Sequence, residues 1–297
     1  MALQRHLPEW MRVKAPGGPG YLELQARFRQ ADLHTVCQEA HCPNIGECWE
    51  RKTATFMILG DTCTWRCHYC AVRTGRPDAP DQDEPYRLAH TVQQMGLRYC
   101  VITSVTREDL PDGGASIFAR SITEIRRLLP DCKVEVLIPD FKGDDKALMT
   151  VLEAGPEVLN HNIETVRRVF HRVRPKGEYD RSLRLLRRAG ELAPGIPTKS
   201  GVMVGLGETD QEIIETMQDL RNNGCALLTV GQYLRPSPVH FPLQKFYHPD
   251  EFDAIRDQGL RMGFRHVAAG PLVRSSYHAD EQAAAAQVIG PEAVAPR

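Results

Sequence analysis

The chain carries no surplus of charge, no long apolar run and no internal repeat. Lysine plus arginine number 37 against 38 aspartate plus glutamate, a net of −1, so nothing in the composition draws the protein generally to nucleic acid or to an anionic membrane. No stretch approaches the length of a membrane-spanning helix. The opening segment MALQRHLPEWMRVKAPGG holds Pro8 and charged residues where a signal peptide needs an apolar core. Disulfide stapling is not expected either, because nine cysteines are an odd number in a chain of 297 residues, long enough to build its own core. Hydrophobic residues at 42% and charged ones at 25% are those of a soluble globular protein. The expected compartment is the reducing cytoplasm, where thiols stay available as ligands.

What remains is thiol chemistry. Six of the nine cysteines form two triplets, Cys37/Cys42/Cys48 with spacing C-x4-C-x5-C and Cys63/Cys67/Cys70 with spacing C-x3-C-x2-C. Structural zinc sites are completed by four ligands, usually arriving in pairs, and each triplet is one short. An iron–sulfur cubane held by three thiolates keeps one iron free for a substrate or an unusual fourth ligand. The short second spacing lets one loop wrap a cluster corner while backbone N–H groups point at the sulfides. Spacing alone leaves open a zinc loop completed by a distant ligand such as His68.

From Thr53 onward, apolar runs alternate with amphipathic charged segments. Strands are predicted at Thr53–Gly60, Tyr99–Val105, Lys133–Pro139, Val158–Ile163, Thr198–Gly205 and Leu227–Leu234. Helices are predicted at Glu84–Met95, Ala115–Leu129, Asp145–Glu153, Tyr179–Glu191, Asp210–Asn223 and Asp250–Met262, with a shorter one at Thr165–His171 and an earlier one from about Tyr21 to Cys37. Strand–helix alternation argues for βαβ units and a parallel sheet. The fold class is α/β, a partial (β/α)6 TIM-type barrel working at the C-terminal edge of its strands; a doubly wound open sheet is the rival. Residues 53–273 would form the barrel, 1–52 an N-terminal extension with the first triplet, and 274–297 a C-terminal segment. The tail Ala283–Arg297 is expected to be mobile. Cys100, Cys132 and Cys225, at strand borders or in a turn, read as small buried hydrophobes. Arg167-Arg168 and Arg187-Arg188 read as solvated helix faces.

The run Cys63-Thr64-Trp65-Arg66-Cys67-His68-Tyr69-Cys70, with an aromatic before the last cysteine, resembles the signature of the radical S-adenosylmethionine (SAM) superfamily. That resemblance implies a cluster at Cys63, Cys67 and Cys70 whose free iron chelates SAM and whose reduction cleaves it to a 5′-deoxyadenosyl radical. The segment Gly201-Val202-Met203-Val204-Gly205-Leu206-Gly207-Glu208 looks like the superfamily's adenine-contact stretch, although by itself it reads as a glycine turn. The resemblance implies SAM contacts at Tyr69, Gly201 and Gly205, and strand position within the superfamily pattern adds Thr103, Ser104, Glu164, Gln232 and Tyr233; Glu164 could equally cap a helix.

The first triplet, within Leu33-His34-Thr35-Val36-Cys37-Gln38-Glu39-Ala40-His41-Cys42-Pro43-Asn44-Ile45-Gly46-Glu47-Cys48-Trp49, closely resembles the lipoyl synthase family, as do Leu7-Pro8-Glu9-Trp10-Met11-Arg12-Val13-Lys14 and Arg274-Ser275-Ser276-Tyr277. The likeness runs from about Pro8 to Ala279 without departure at a ligand position. It implies two 4Fe–4S clusters, the auxiliary one held by Cys37, Cys42, Cys48 and Ser276, and insertion of two sulfur atoms at carbons 6 and 8 of an octanoyl-lysine. An alkoxide is a hard ligand for a soft cluster and should be easily lost. Read alone, Ser275-Ser276 is only a polar turn. The implied partners are an octanoylated lipoyl carrier domain (an oxo-acid dehydrogenase E2 or the glycine cleavage H protein), an electron donor such as ferredoxin or flavodoxin, and a cluster-assembly carrier. No nucleic acid or membrane partner is expected, and a monomer is the default. A methylthiotransferase-like radical enzyme is the second reading, weakened because no tRNA-binding domain or basic surplus is visible; a non-enzymatic metal-binding module is the third.

Overall fold

In the computed structural model, residues 7–13, 15–51 and 53–294 are described; Lys14, both ends of the 1–52 extension and the last three residues of the predicted tail lie outside them. The strands are β1 His34–Thr35, β2 Thr55–Ile58, β3 Thr62–Cys63, β4 Arg73–Thr74, β5 Tyr99–Ser104, β6 Lys133–Leu137, β7 Val158–Asn160, β8 Thr198–Val204, β9 Leu227–Gln232 and β10 His266–Gly270. The helices are α1 Pro19–Gln30, α2 Val36–Glu39, α3 Ile45–Glu50, α4 Glu84–Met95, α5 Ala115–Leu128, α6 Asp145–Glu153, α7 Arg167–Val173, α8 Tyr179–Leu192, α9 Asp210–Asn222, α10 Pro249–Arg261 and α11 Ala279–Ala285.

One sheet runs in the order β1-β2-β5-β6-β7-β8-β9-β10. Every neighbour pair from β2 to β10 is parallel, and β1 alone is antiparallel. The six predicted strands are all present, and β10 adds a parallel seventh. No pairing joins β10 to β1 among the described residues, so the barrel is split between its first and last strands. Alternation along β5 sets its two faces: Cys100 and Ile102 pack outward into the helical layer, while Tyr99, Val101 and Thr103 line interior cavities. Outside the sheet the core forms two clusters, one under α1, α4, α5 and α6 and one under α7 to α10.

Two expectations are corrected. The helix predicted from Tyr21 to Cys37 stops at Gln30, and the chain turns at Asp32, which has φ 50°. His34 and Thr35 then pair with Met57 and Phe56, satisfying the otherwise bare edge of β2. Thr35 also caps α2, its hydroxyl accepting from the Gln38 N–H at 3.3 Å. The C-terminal stretch is not a loose tail as far as Val294. Helix α11 and the segment after it pack at the N-terminal end of the barrel, where Ala283 (1% exposed) and Ile289 pack on Val158 and Ala286 packs on Leu227. Small alanine side chains let this helix approach the strand ends closely.

Candidate active site

The second triplet sits on the loop leaving β2. The turn into it places Leu59 at φ 71°, a conformation L-residues seldom hold unaided. Two buried charged groups hold it: the Glu84 carboxylate accepts the Leu59 N–H at 2.7 Å, and Arg107 donates to the Leu59 carbonyl at 3.2 Å. Sequence reasoning missed both, since nothing local marks a buried Glu or Arg. Further on, the Thr64 N–H donates to Thr106 O, the His68 N–H to Val173 O and the Phe241 N–H to His68 O. The Trp65 and Thr106 N–H groups approach the Cys63 sulfur at 3.4 and 3.3 Å. His68, the suggested distant zinc ligand, instead places Nδ1 2.8 Å from the Arg172 carbonyl.

The first triplet arrives on α2, its following turn and α3, and the Arg-Ser-Ser-Tyr segment closes on it across the split in the barrel. Asn44 donates to Leu272 O at 2.7 Å. Arg51 binds Glu281 at 2.9 Å and the His278 ring at 2.7 Å. Glu47 accepts from the Tyr277 hydroxyl at 3.0 Å. On the opposite flank a Cβ on Gly231 would stand 2.0 Å from Val273 O, so only glycine there lets the incoming segment pass. Together these contacts place Ser276 on the same cavity walls as Cys37 and Cys48.

One cavity of about 510 Å³ at the strands' C-terminal edge is lined by all six triplet cysteines, Ser276, Tyr69, Thr103, Ser104, Glu164, Gln232 and Tyr233. Burial pushes Cys37 and Cys67 up to about 11 and Cys70 to about 12. Cys42 and Cys48 are raised too, burial being the main cause and the neighbouring thiols adding to it for Cys48. Buried thiols that repel one another as thiolates call for a cationic group among them. Among the described residues no three His, Cys, Asp or Glu side chains converge to hold one metal ion. A single zinc gathers its ligands about one point, whereas a cubane takes each thiolate at a different iron. The donor sets suit two such clusters.

The predicted SAM contacts divide. Ser104 Oγ is buried without a partner on the cavity wall. Thr103 donates its hydroxyl to Leu137 O at 3.0 Å and keeps its lone pairs. Glu164 has φ 71° and lies before Val166, the N-cap residue of α7, so it does not cap that helix. The Gln232 amide is spent on Val204 O, Lys245 O and the Tyr247 N–H, and the Tyr233 hydroxyl donates to Phe241 O at 2.8 Å; both offer only backbone to a ligand. Gly201 and Gly205 are not on the cavity wall. Gly205, at φ 102°, leaves room for the Gln232 amide, which a Cβ would meet at 2.2 Å. Arg174 is the residue missed: 6% exposed, on the cavity wall, with Nε unpartnered. Its charge helps hold the Glu164 carboxyl down against the burial that raises it. The tract Arg172-Val173-Arg174 gives no signal of this. Arg167 and Arg168 are, as read, exposed and paired with Asp180 and Glu212.

A split parallel barrel carrying a three-cysteine loop after its first parallel strand is the architecture of radical SAM enzymes, and the radical SAM superfamily model matches residues 57–220. Two solved structures agree in fold alone: methylornithine synthase, 15% identical with TM-score 0.54 over 71% of this chain and 62% of that one, and the hydrogenase maturase HydG, 18% identical with TM-score 0.55 over 86% and 56%. The model of the N-terminal domain of lipoyl synthase matches residues 2–42. Lipoyl synthase of Rubrobacter xylanophilus is 59% identical over 93% of this chain and 86% of its own length; that of Halalkalibacterium halodurans is 55% identical over 95% and 93%. The chain belongs to the lipoyl synthase family.

Proposed function

We propose that the cavity at the strands' C-terminal edge is where this family member carries out its reaction, sulfur insertion at carbons 6 and 8 of an octanoyl-lysine on a lipoyl carrier protein. When bound, SAM and the two 4Fe–4S clusters supply the hydrogen-abstracting radical and the sulfur. Cys63, Cys67 and Cys70 hold the cluster that receives SAM, and Cys37, Cys42, Cys48 and Ser276 hold the auxiliary one. The observation carrying this is that all six triplet cysteines and Ser276 line one cavity. Residues lining this cavity would keep an octanoyl chain within reach of both sets of ligands.

Around SAM, Tyr69, Thr103, Ser104 and Glu164 contribute side chains, Gln232 and Tyr233 contribute backbone, and Gly201 and Gly205 let the strand ends pack close behind them. Arg174 offers its free N–H to a carboxylate. Segments 1–52 and 274–297 act as extensions of the 53–273 barrel that meet at the auxiliary ligands. The carrier is an oxo-acid dehydrogenase E2 or glycine cleavage H protein, ferredoxin or flavodoxin supplies electrons, a cluster-assembly carrier restores the auxiliary cluster, and the protein works as a cytoplasmic monomer. Among the described residues no helix is long and apolar enough to cross a membrane.

The test is anaerobic incubation of reconstituted protein with SAM, reductant and an octanoyl-lysyl peptide, read by mass spectrometry. A peptide gaining two sulfurs is expected. An unchanged peptide with 5′-deoxyadenosine formed would remove the substrate assignment while leaving the radical chemistry.

A further inference from the structure

The auxiliary ligands are reached from two sides. A second cavity, of about 550 Å³, lies toward the opposite, N-terminal edge of the strands, and its wall again includes Cys37, Cys48 and Ser276. Cys42 is on the active-site wall alone. The rear cavity runs inward past Val101 on β5 and beneath Ala279 at the start of α11, and its mouth is exposed at Glu50, Gly96 and Arg98. Protein interiors hold few voids larger than a water molecule. This cavity is open to solvent at its mouth, and it meets the active-site cavity only at Cys37, Cys48, Thr55 and Ser276.

We propose that the rear cavity is the port through which a 4Fe–4S cluster, carried on the thiolates of a second protein, reaches the auxiliary ligands. The inference rests on the reading that the auxiliary cluster is consumed as sulfur donor, which makes its replacement a delivered cargo. Transfer is ligand exchange with no change of oxidation state. Each iron–thiolate bond to the carrier breaks as a bond to Cys48, Cys37, Ser276 or Cys42 forms, and the protons those groups lose pass to the released carrier thiolates. A rear route lets SAM and the carrier domain occupy the active-site cavity during reloading, which a single entrance would forbid.

The test uses the full-length enzyme after one turnover, with SAM and octanoyl-lysyl peptide present to fill the front cavity. The probe is a 4Fe–4S cubane held by four small thiolates and made with isotopically labelled iron, and the readout is labelled auxiliary cluster followed by Mössbauer spectroscopy. Val101→Phe fills the port from inside, and Arg98→Trp narrows its exposed mouth should the first variant fold poorly. Loading is expected to slow by roughly tenfold or more in each, since a blocked path raises the barrier to entry. The yield of sulfur-bearing peptide in the first turnover, after long reconstitution, stays that of the wild type. Wild-type loading rates in both variants, or wild-type loading halted by the front-side ligands, would overturn the port. If the wild type makes no sulfur-bearing peptide, the functional reading fails separately, and the same loading comparison on chelator-stripped protein still decides the port.

Discussion

Replacing Arg174 probes how the active-site cavity holds a charged ligand. Its guanidinium carbon lies 5.1 Å from the centre of the Trp65 ring and 5.9 Å from that of Phe170, and Nη1 donates to Asn162 O at 3.3 Å. Nε has no partner, and a buried donor left unmatched is costly. The anionic groups acting on it are Tyr69 and Cys67, when ionised, with Glu164 and Asp140. A ligand carboxylate would complete the set. Methionine keeps much of the stem's apolar packing and removes the charge. A hydrogen bond to a charged group contributes about 1.5–3 kcal/mol, so Arg174→Met should weaken SAM binding roughly 10- to 150-fold. Arg174→Lys keeps the charge without the planar fork and should fall between the two. The assay is equilibrium binding of SAM to anaerobically reconstituted protein, with iron content measured on the same sample. Affinity within about twofold of wild type in the methionine variant, at full cluster content, would refute the reasoning, since that difference is under 0.5 kcal/mol or so.

Ser276→Ala should still form 5′-deoxyadenosine but lose the sulfur-bearing product; full product yield would remove Ser276 from the ligand set. Inside the barrel, Lys199 and Glu135 are 0% and 1% exposed and 2.9 Å apart, and Glu135 also accepts from the Tyr99 hydroxyl at 2.8 Å. Lys199→Met should cost about 3–5 kcal/mol by stranding the carboxylate, and the double variant with Glu135→Gln should recover much of it; the check is denaturant unfolding of both. His161, wedged between Ile138 O at 2.8 Å and Ser182 Oγ at 3.0 Å, is pushed down to about 4 by burial and by Arg174. Its stabilising effect is complete above its unfolded value of 6.5 and is lost as pH falls from there toward 4, by about 1.4 kcal/mol per unit. His161→Gln should flatten the pH dependence of the melting temperature across that window, and an unchanged slope would count against it.

Much of the fold was legible because its signals are local. Glu84–Met95 and Asp145–Glu153 were read with their observed bounds, since helical period and punctuation act within a few residues. Strand β10 lies in the stretch His266–Val273, which reads as strand-like but is not counted among the six predicted barrel strands. The Tyr21–Cys37 helix failed because pairing with the open edge of β2 overrode the local pattern. The tail failed because alanine-rich sequence looks the same whether it frays in water or packs against strand ends.

The candidate site divides along the same line. The amino-acid sequence determined the two cysteine triplets, the strand–helix alternation and the family, because residue spacing on a loop and periodicity along an element need no knowledge of what folds against them. Only the tertiary structure decided that Ser276 shares a cavity wall with Cys37 and Cys48, that Arg174 is buried on the active-site wall, and that the C-terminal helix packs against the N-terminal ends of the strands. Tyr277 and Glu47, whose hydrogen bond draws the serine segment in, are 230 positions apart. No spacing rule reaches that far; closing the split in the barrel is what brings them together.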